Sequence, residues 1–237
     1  MQCVILAAGR GTRMMELTGA VPKPMLDVGG KPLLEYKIDA LPGEVEEVIL
    51  IIGYLKEVVQ HHFGSTYNGR KITYVEQKEL NGTAGALWSA EPVLKDRFLV
   101  MMGDDIYSDE DIARCIEPSQ HWRLLVQQLQ EMHRAGYVVI GEDGNIADII
   151  ESSKEDEVRA ESGIASTNLY ILDTRLFSYP LIPKHAGSLE YGLPQTVVAA
   201  SQKLGITFEP VFTDKWIQIT SPRDLVYAAK LLEKTKK

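Results

Sequence analysis

The chain has 237 residues, 45% of them hydrophobic, enough to bury a sizeable core in one large or two small domains, and we read one. With 33 acidic against 25 basic residues the net charge is −8, which speaks against a nucleic-acid partner because phosphate backbones reward a basic surface. Two cysteines without CxxC spacing point away from a thiolate metal site or disulfide framework, and no apolar run approaches the ~18 residues of a membrane span, so we expect a soluble, unexported, cytoplasmic protein.

The first predicted element is a strand at Val4–Ala7, apolar on both faces. Ala7, Ala8, Gly9 and Gly11 follow it, small residues that let the chain turn and bring backbone N–H groups against an anion. Arg13 and then Lys23, stiffened between Pro22 and Pro24, add fixed cations. Met1 to Lys31 carries four cations against two acids within an acidic chain, so positive charge gathers at this end.

Helical patterns at Leu33–Leu41, Leu55–Phe63 and Thr83–Pro92 alternate with strands at Glu47–Ile52, Ile72–Glu76 and Phe98–Met102. That alternation predicts an α/β fold whose mostly parallel sheet carries helices on both faces, with ligands beyond the carboxyl ends of the strands. The Gly9 loop and Gly103-Asp104 would both emerge there. Further on we expect strands at Leu124–Gln130, Val138–Ile140, Ile146–Glu151 and Ile164–Leu172, with a turn at Glu142–Asn145. The charge-dense segment Glu151–Ser162 reads as a mobile surface loop able to close over a substrate. Leu189–Leu204 reads as a helix interrupted at Pro194, and Ser221–Lys236 as a terminal helix with Ser221 at its N-cap and Pro222 first.

The loop after the first strand is not a Walker A, since no Gly-Lys-Ser/Thr follows Gly11, nor a dinucleotide fingerprint, since Met14 stands at the third glycine position. Instead LAAGRGTRM followed by PKPM resembles the signature of the sugar-phosphate nucleotidyltransferases, which join a nucleoside triphosphate to a sugar 1-phosphate and release pyrophosphate. The resemblance implies a single Rossmann-like domain, with residues 1–120 as the nucleotide half and 121–237 as the sugar-phosphate half. It implies that Leu6, Ala8, Gly9, Gly11 and Thr12 wrap the triphosphate, that Arg13 holds its outer phosphates, and that Lys23 lies near the site of bond making.

Glu76-Gln77 and then Gly82-Thr83-Ala84-Gly85-Ala86-Leu87 match the family's GTAGAL element. A side-chain amide offers a donor and an acceptor to a base edge, so Gln77, Gly82 and Thr83 are base-contact candidates. Glutamate before Gln77 resembles the uridylyl- and thymidylyltransferases and favours UTP or dTTP. The apolar strand ending in Gly103-Asp104-Asp105 is an uneasy place for charge unless a cation or solvent receives it, and Asp104 is the expected Mg²⁺ ligand, with Asp105 second. The plainer alternative has both acids capping the helix suggested by Ser108–Asp111.

Beyond Ile106 the resemblance thins at functional positions. The family's W-x-D-x-G metal aspartate appears as Gln218 after Trp216, whose amide oxygen could still ligate Mg²⁺; the E-K-P lysine appears as Ser152 after Glu151, with Lys154 two places on. Glu190 persists as a sugar-hydroxyl candidate, while the usual aspartate is Gln195. Glu151, Lys154, Glu190 and Asp104 are therefore the expected sugar-phosphate contacts. Two alternatives stay open: transfer to another phosphorylated acceptor such as phosphocholine, and a non-catalytic nucleotide-sugar-binding regulator. The hexapeptide repeats that the family's longer members append are absent, so acetyltransferase activity is not expected. Whether the chain forms a homo-oligomer is left open. His61-His62 and the Met14-Met15 and Met101-Met102 pairs read as surface and core packing, and Lys234–Lys237 as a solvated tail.

Overall fold

A computed structural model describes residues 1–9, 11, 14, 17–130, 136–151 and 162–235. Four strands of the first half run parallel: β1 (Gln2–Leu6), β2 (Glu47–Ile52), β4 (Arg70–Glu76) and β5 (Arg97–Met102), with a short β3 (Thr66–Tyr67) antiparallel at the edge. From the second half come β6 (Trp122–Leu129), β7 (Tyr137–Ile140), β8 (Ile146–Ile150), β9 (Gly163–Asp173) and β10 (Phe208–Thr213). Together they make one ten-stranded sheet in the order β10-β6-β9-β5-β1-β2-β4-β3, with β7 and β8 branching from β9. β9 runs antiparallel between β5 and β6 and so joins the two halves into one sheet.

The apolar runs become central strands because both faces are covered. Along β1, Cys3 and Ile5 face one core and Val4 the other, the period-two alternation of a strand. α1 (Leu33–Asp39), α2 (Lys56–Phe63) and α4 (Asp109–Ile116) pack on the Cys3 face; α3 (Gly82–Trp88) and α5 (Leu193–Leu204) pack on the Val4 face. A third cluster joins Met14, Leu26, Ile106 and Ile219 to α6 (Pro222–Thr235). Both thiols lie in the core, where burial pushes them up, Cys115 to about 12, so neither is a ready nucleophile.

Several boundaries differ from the sequence reading. Pro194 does not interrupt a helix; it sits in the first turn of α5, where a missing N–H costs nothing, and residues 189–192 lie before the helix as bends and an isolated bridge. β10 was not read from the sequence; it holds Pro210 and, among the described residues, pairs with β6 alone, and an edge strand accommodates proline. α6 starts at Pro222 with Ser221 before it, as read, and the Asp224 carboxylate reaches back to accept from the Ser221 N–H at 2.7 Å and the Thr220 N–H at 2.8 Å. Ser108 caps α4, its Oγ accepting from Asp111 N–H at 3.1 Å, so Asp104 and Asp105 are released from that role. His62 is exposed, as read from the sequence, and also pairs with a carboxylate, its Nε2 2.5 Å from Glu35 Oε1.

Candidate active site

The parallel strands end at one edge, and the chain leaves each of them there. Ala7 N–H donates to Ile51 O at 2.8 Å, Gln77 N–H to Ile52 O at 2.9 Å, and Gly103 N–H to Leu6 O at 2.9 Å, so the first residue past each strand is still tied to its neighbour. Beyond this edge opens a cavity of about 400 Å³. Its walls include Leu6, Ala8, Gly9, Gly11, Lys23, Gln77, Gly82, Thr83, Asp104, Glu151 and Glu190, every one a residue singled out from the sequence. Arg13, Thr12 and Lys154 lie outside the described residues. Gln218 is half-buried and does not line the cavity.

Lys23 stands on a short 3-10 turn, Lys23–Met25, set up by the flanking prolines. It is 8% exposed, and its Nζ donates to Asp104 Oδ2 at 2.6 Å and to Ile219 O at 2.5 Å. The bond to Ile219 fastens the Trp216–Thr220 segment beneath the site; that segment also bridges back to Ile106 through Ile217. Gly11 adopts φ +65°, and a Cβ there would meet Lys23 Cβ at 2.7 Å, so only glycine lets the loop lie against the lysine.

Below Asp104 the chain buries two more ionisable side chains, Lys37 and Asp105, that the sequence did not announce as neighbours. Lys37, on α1, is 1% exposed; its Nζ donates to the Asp105 main-chain carbonyl and weakly to Leu33 O at 3.5 Å. The Asp105 carboxylate turns inward, accepting from Ile219 N–H at 3.4 Å, and is not available as a cavity ligand. Burial pushes the Asp105 carboxyl up, with Asp104 adding to the effect, and burial pulls the Lys37 ammonium down. Lys23 and Lys37 thus balance Asp104 and Asp105 at the end of β5. Replacing Lys37 by methionine strands the Asp105 carbonyl and leaves its carboxylate without the nearby cation, which should cost about 1–3 kcal/mol. The double variant Lys37→Met/Asp105→Asn should recover part of that loss; strict additivity in chemical denaturation would contradict the coupling.

The base side is built around Gln77 and the start of α3. Gln77 Nε2 donates to Asn81 Oδ1 at 3.3 Å and Gly82 O at 3.2 Å, leaving its amide oxygen as the acceptor. Gly82 has φ +98°, and a Cβ would lie 2.3 Å from Tyr191 O. The contact is close because Tyr191 N–H donates to Asn81 O at 2.8 Å and Tyr191 O accepts from Ala84 N–H at 3.1 Å. The Thr83 hydroxyl accepts from Leu193 N–H at 3.0 Å while the residue also faces the cavity.

Sequence reasoning missed Met102, Lys184, Tyr191 and Leu80. Met101 is core as expected, but Met102 is half-buried and lines the cavity, because alternation turns successive side chains to opposite faces. Lys184 Nζ stands 3.5 Å from Glu151 Oε2, which also accepts from Gln195 Nε2 at 3.4 Å. Its sequence signal was a proline-lysine step like the one at Pro22-Lys23.

A glycine loop, a buried lysine bonded to a strand-end aspartate, an amide facing the same cavity and a separate acid-lysine wall form one continuous site. The family model described as nucleotidyl transferase matches residues 2–235. The chain belongs to the sugar-phosphate nucleotidyltransferase family. It is 30% identical over 240 residues, 98% of this chain and 97% of the relative, to UTP--glucose-1-phosphate uridylyltransferase AglF of Haloferax volcanii. It is 31% identical over 75% of its length to the D-glycero-alpha-D-manno-heptose 1-phosphate guanylyltransferase of Campylobacter jejuni, covering 78% of that protein. It spans about half, 45%, of the bifunctional protein GlmU of Methanococcus aeolicus, with 33% identity over 80% of this chain. Among solved structures, a putative glucose-1-phosphate thymidylyltransferase from Bacillus anthracis superposes with a TM-score of 0.79 at 27% identity, over 98% of this chain and 94% of that one. The enzyme therefore shares the fold and the chemistry class of these transferases. Among its described residues no helix is long and apolar enough to cross a membrane.

Proposed function

We propose that this enzyme transfers a nucleotidyl group from UTP or dTTP to a sugar 1-phosphate in an Mg²⁺-dependent reaction, giving a nucleotide sugar and pyrophosphate. The observation that carries the reading is the 2.6 Å Lys23–Asp104 pair, set between the Gly9–Gly11 loop and the Glu151–Glu190 wall. Gln77 narrows the base: with its nitrogen spent on Asn81 and Gly82, its oxygen is left to accept from a ring N–H, which uracil, thymine and guanine carry beside a carbonyl and cytosine and adenine do not, and the glutamate before it favours the pyrimidines.

The acceptor phosphate is already anionic at neutral pH, so no general base is required. Its oxygen attacks the α-phosphorus in line with departing pyrophosphate, and catalysis consists of alignment and charge. Lys23 Nζ, held by two acceptors, stands ready to offset charge developing on the phosphoryl oxygens. Loop amides at Gly9 and Gly11 receive the triphosphate tail, and the open face at Gly9, with nothing within 4 Å of a Cβ placed there, leaves room for it. The Asp104 carboxylate is 38% exposed at the cavity wall, a hard oxygen donor suited to Mg²⁺, which needs few protein ligands when substrate phosphates and waters complete its shell. Bound there, Mg²⁺ would supply Lewis-acid neutralisation of the phosphates.

The test is a screen of the four nucleoside triphosphates against a panel of sugar 1-phosphates, reading nucleotide sugar and pyrophosphate together. We expect one pyrophosphate per nucleotide sugar with UTP or dTTP, loss of turnover on chelation and recovery on adding Mg²⁺. Asp104→Asn should lower kcat by roughly 10²–10³-fold, as for loss of one preorganised charge. Triphosphate binding in calorimetry with no product from any acceptor would favour a binding regulator instead. Turnover indifferent to chelation would remove the metal from the account.

A further inference from the structure

Building on the proposed reaction, we propose that Lys184 grips the phosphate of the sugar 1-phosphate, taking over from a lysine next to Glu151. Among the described residues lining the cavity, Lys23 and Lys184 are the two cations. Lys23 is nearly buried and already bonded to Asp104 and Ile219. Lys184 is different: its side chain is 43% exposed, and its contact with Glu151 Oε2 is a loose 3.5 Å. An ammonium on a flexible stem can leave such a contact for a dianion without losing a strong bond.

Its backbone, by contrast, is fixed. Lys184 N–H donates to Glu190 O at 2.8 Å, Gly192 N–H to Ile182 O at 3.0 Å, and Pro183 bridges Tyr191. Tyr191 is in turn bonded on both sides to the start of α3, which bears Gly82. The segment that carries Lys184 is thus tied to the base side of the same cavity, and the distance between nucleotide and acceptor is set by main-chain bonds.

Charge decides the assignment. Glu151 and Glu190 present two carboxylates at this end of the cavity, and a phosphate dianion placed against them with no cation would be repelled. Lys184 removes that conflict, and Gln195 donates to Glu151 Oε2 at 3.4 Å as a neutral second support. When phosphate draws Lys184 away, the Glu151 carboxylate keeps a donor and can accept from a sugar hydroxyl. The ligand class this wall takes is a hydroxyl-rich phosphomonoester.

Steady-state kinetics with glucose 1-phosphate, on wild type, Lys184→Ala and Lys184→Arg, test this. We expect Lys184→Ala to raise the KM for glucose 1-phosphate by about 10–100-fold, the worth of one charge-assisted hydrogen bond, with the triphosphate KM within about twofold and Tm unchanged. Lys184→Arg should restore most of the affinity. An unchanged glucose 1-phosphate KM in Lys184→Ala, or equal rises in both KM values with a lower Tm, would overturn the assignment. Should wild type form no product, the proposed reaction fails on its own, and calorimetric binding of glucose 1-phosphate to wild type and Lys184→Ala still decides the role of Lys184.

Discussion

Lys23→Ala is expected to lower kcat by roughly 10²–10³-fold, about 3–4 kcal/mol of transition-state stabilisation, while leaving triphosphate binding comparatively intact. The reason is that Lys23 is preorganised: 8% exposed, pinned by Asp104 Oδ2 and Ile219 O, and backed by the Gly11 turn. A cation held this way loses little on meeting the transition state, because its desolvation and ordering were completed on folding. Removing it also frees the Ile219 carbonyl and leaves Asp104 without its partner, so a modest fall in stability should accompany the kinetic loss. Single-turnover rates with saturating triphosphate separate the two effects. A variant that turns over at the wild-type rate would show that bond making occurs elsewhere.

Gly82→Ala is expected to be the most destabilising single methyl in the site. At φ +98° an L side chain is strained, and its Cβ would sit 2.3 Å from Tyr191 O and 2.7 Å from Tyr191 N, main-chain atoms that cannot swing aside. Either α3 or the Ile182–Gly192 segment must move. The cost should be about 2–4 kcal/mol, a fall in Tm of roughly 5–15 °C for a chain of this size. Because Gly82 O also holds Gln77 Nε2, the triphosphate KM should rise in the same variant. Thermal melts and KM values measured together check this; a Tm within a degree of wild type would mean that the Asn81–Tyr191 pairing is not the clamp we describe.

Much of the nucleotide end was legible because its residues follow strand ends in sequence, where the period-two pattern and the edge geometry fix position together. Gly9, Gly11, Gln77 and Asp104 reach the cavity by that route, while Lys23 and Gly82 were legible through the PKPM and GTAGAL matches. The acceptor end was less legible. Lys184 belongs to no regular element, and its place depends on Tyr191 bonding to Asn81, a pairing of distant residues that no local pattern encodes. Lys37 reads as one more solvated helix lysine; it is buried because the carbonyl of Asp105 lies above that face of α1. Asp105 looked like a spare ligand, yet past the end of β5 its carboxylate turns inward to the Ile219 N–H while Asp104, in the turn, faces the cavity. Pro194 misled because the first turn of a helix tolerates proline, and β10, which holds Pro210 at a sheet edge, was not read from the sequence.

The most direct measurement is a crystal structure with a non-hydrolysable UTP analogue and Mg²⁺ present. The account predicts the triphosphate lying along residues 6–11 with its α-phosphate within hydrogen-bonding distance of Lys23 Nζ, the uracil N–H on Gln77, and the metal on Asp104. Density for the analogue outside this cavity, or a metal ion that leaves Asp104 bare, would contradict it.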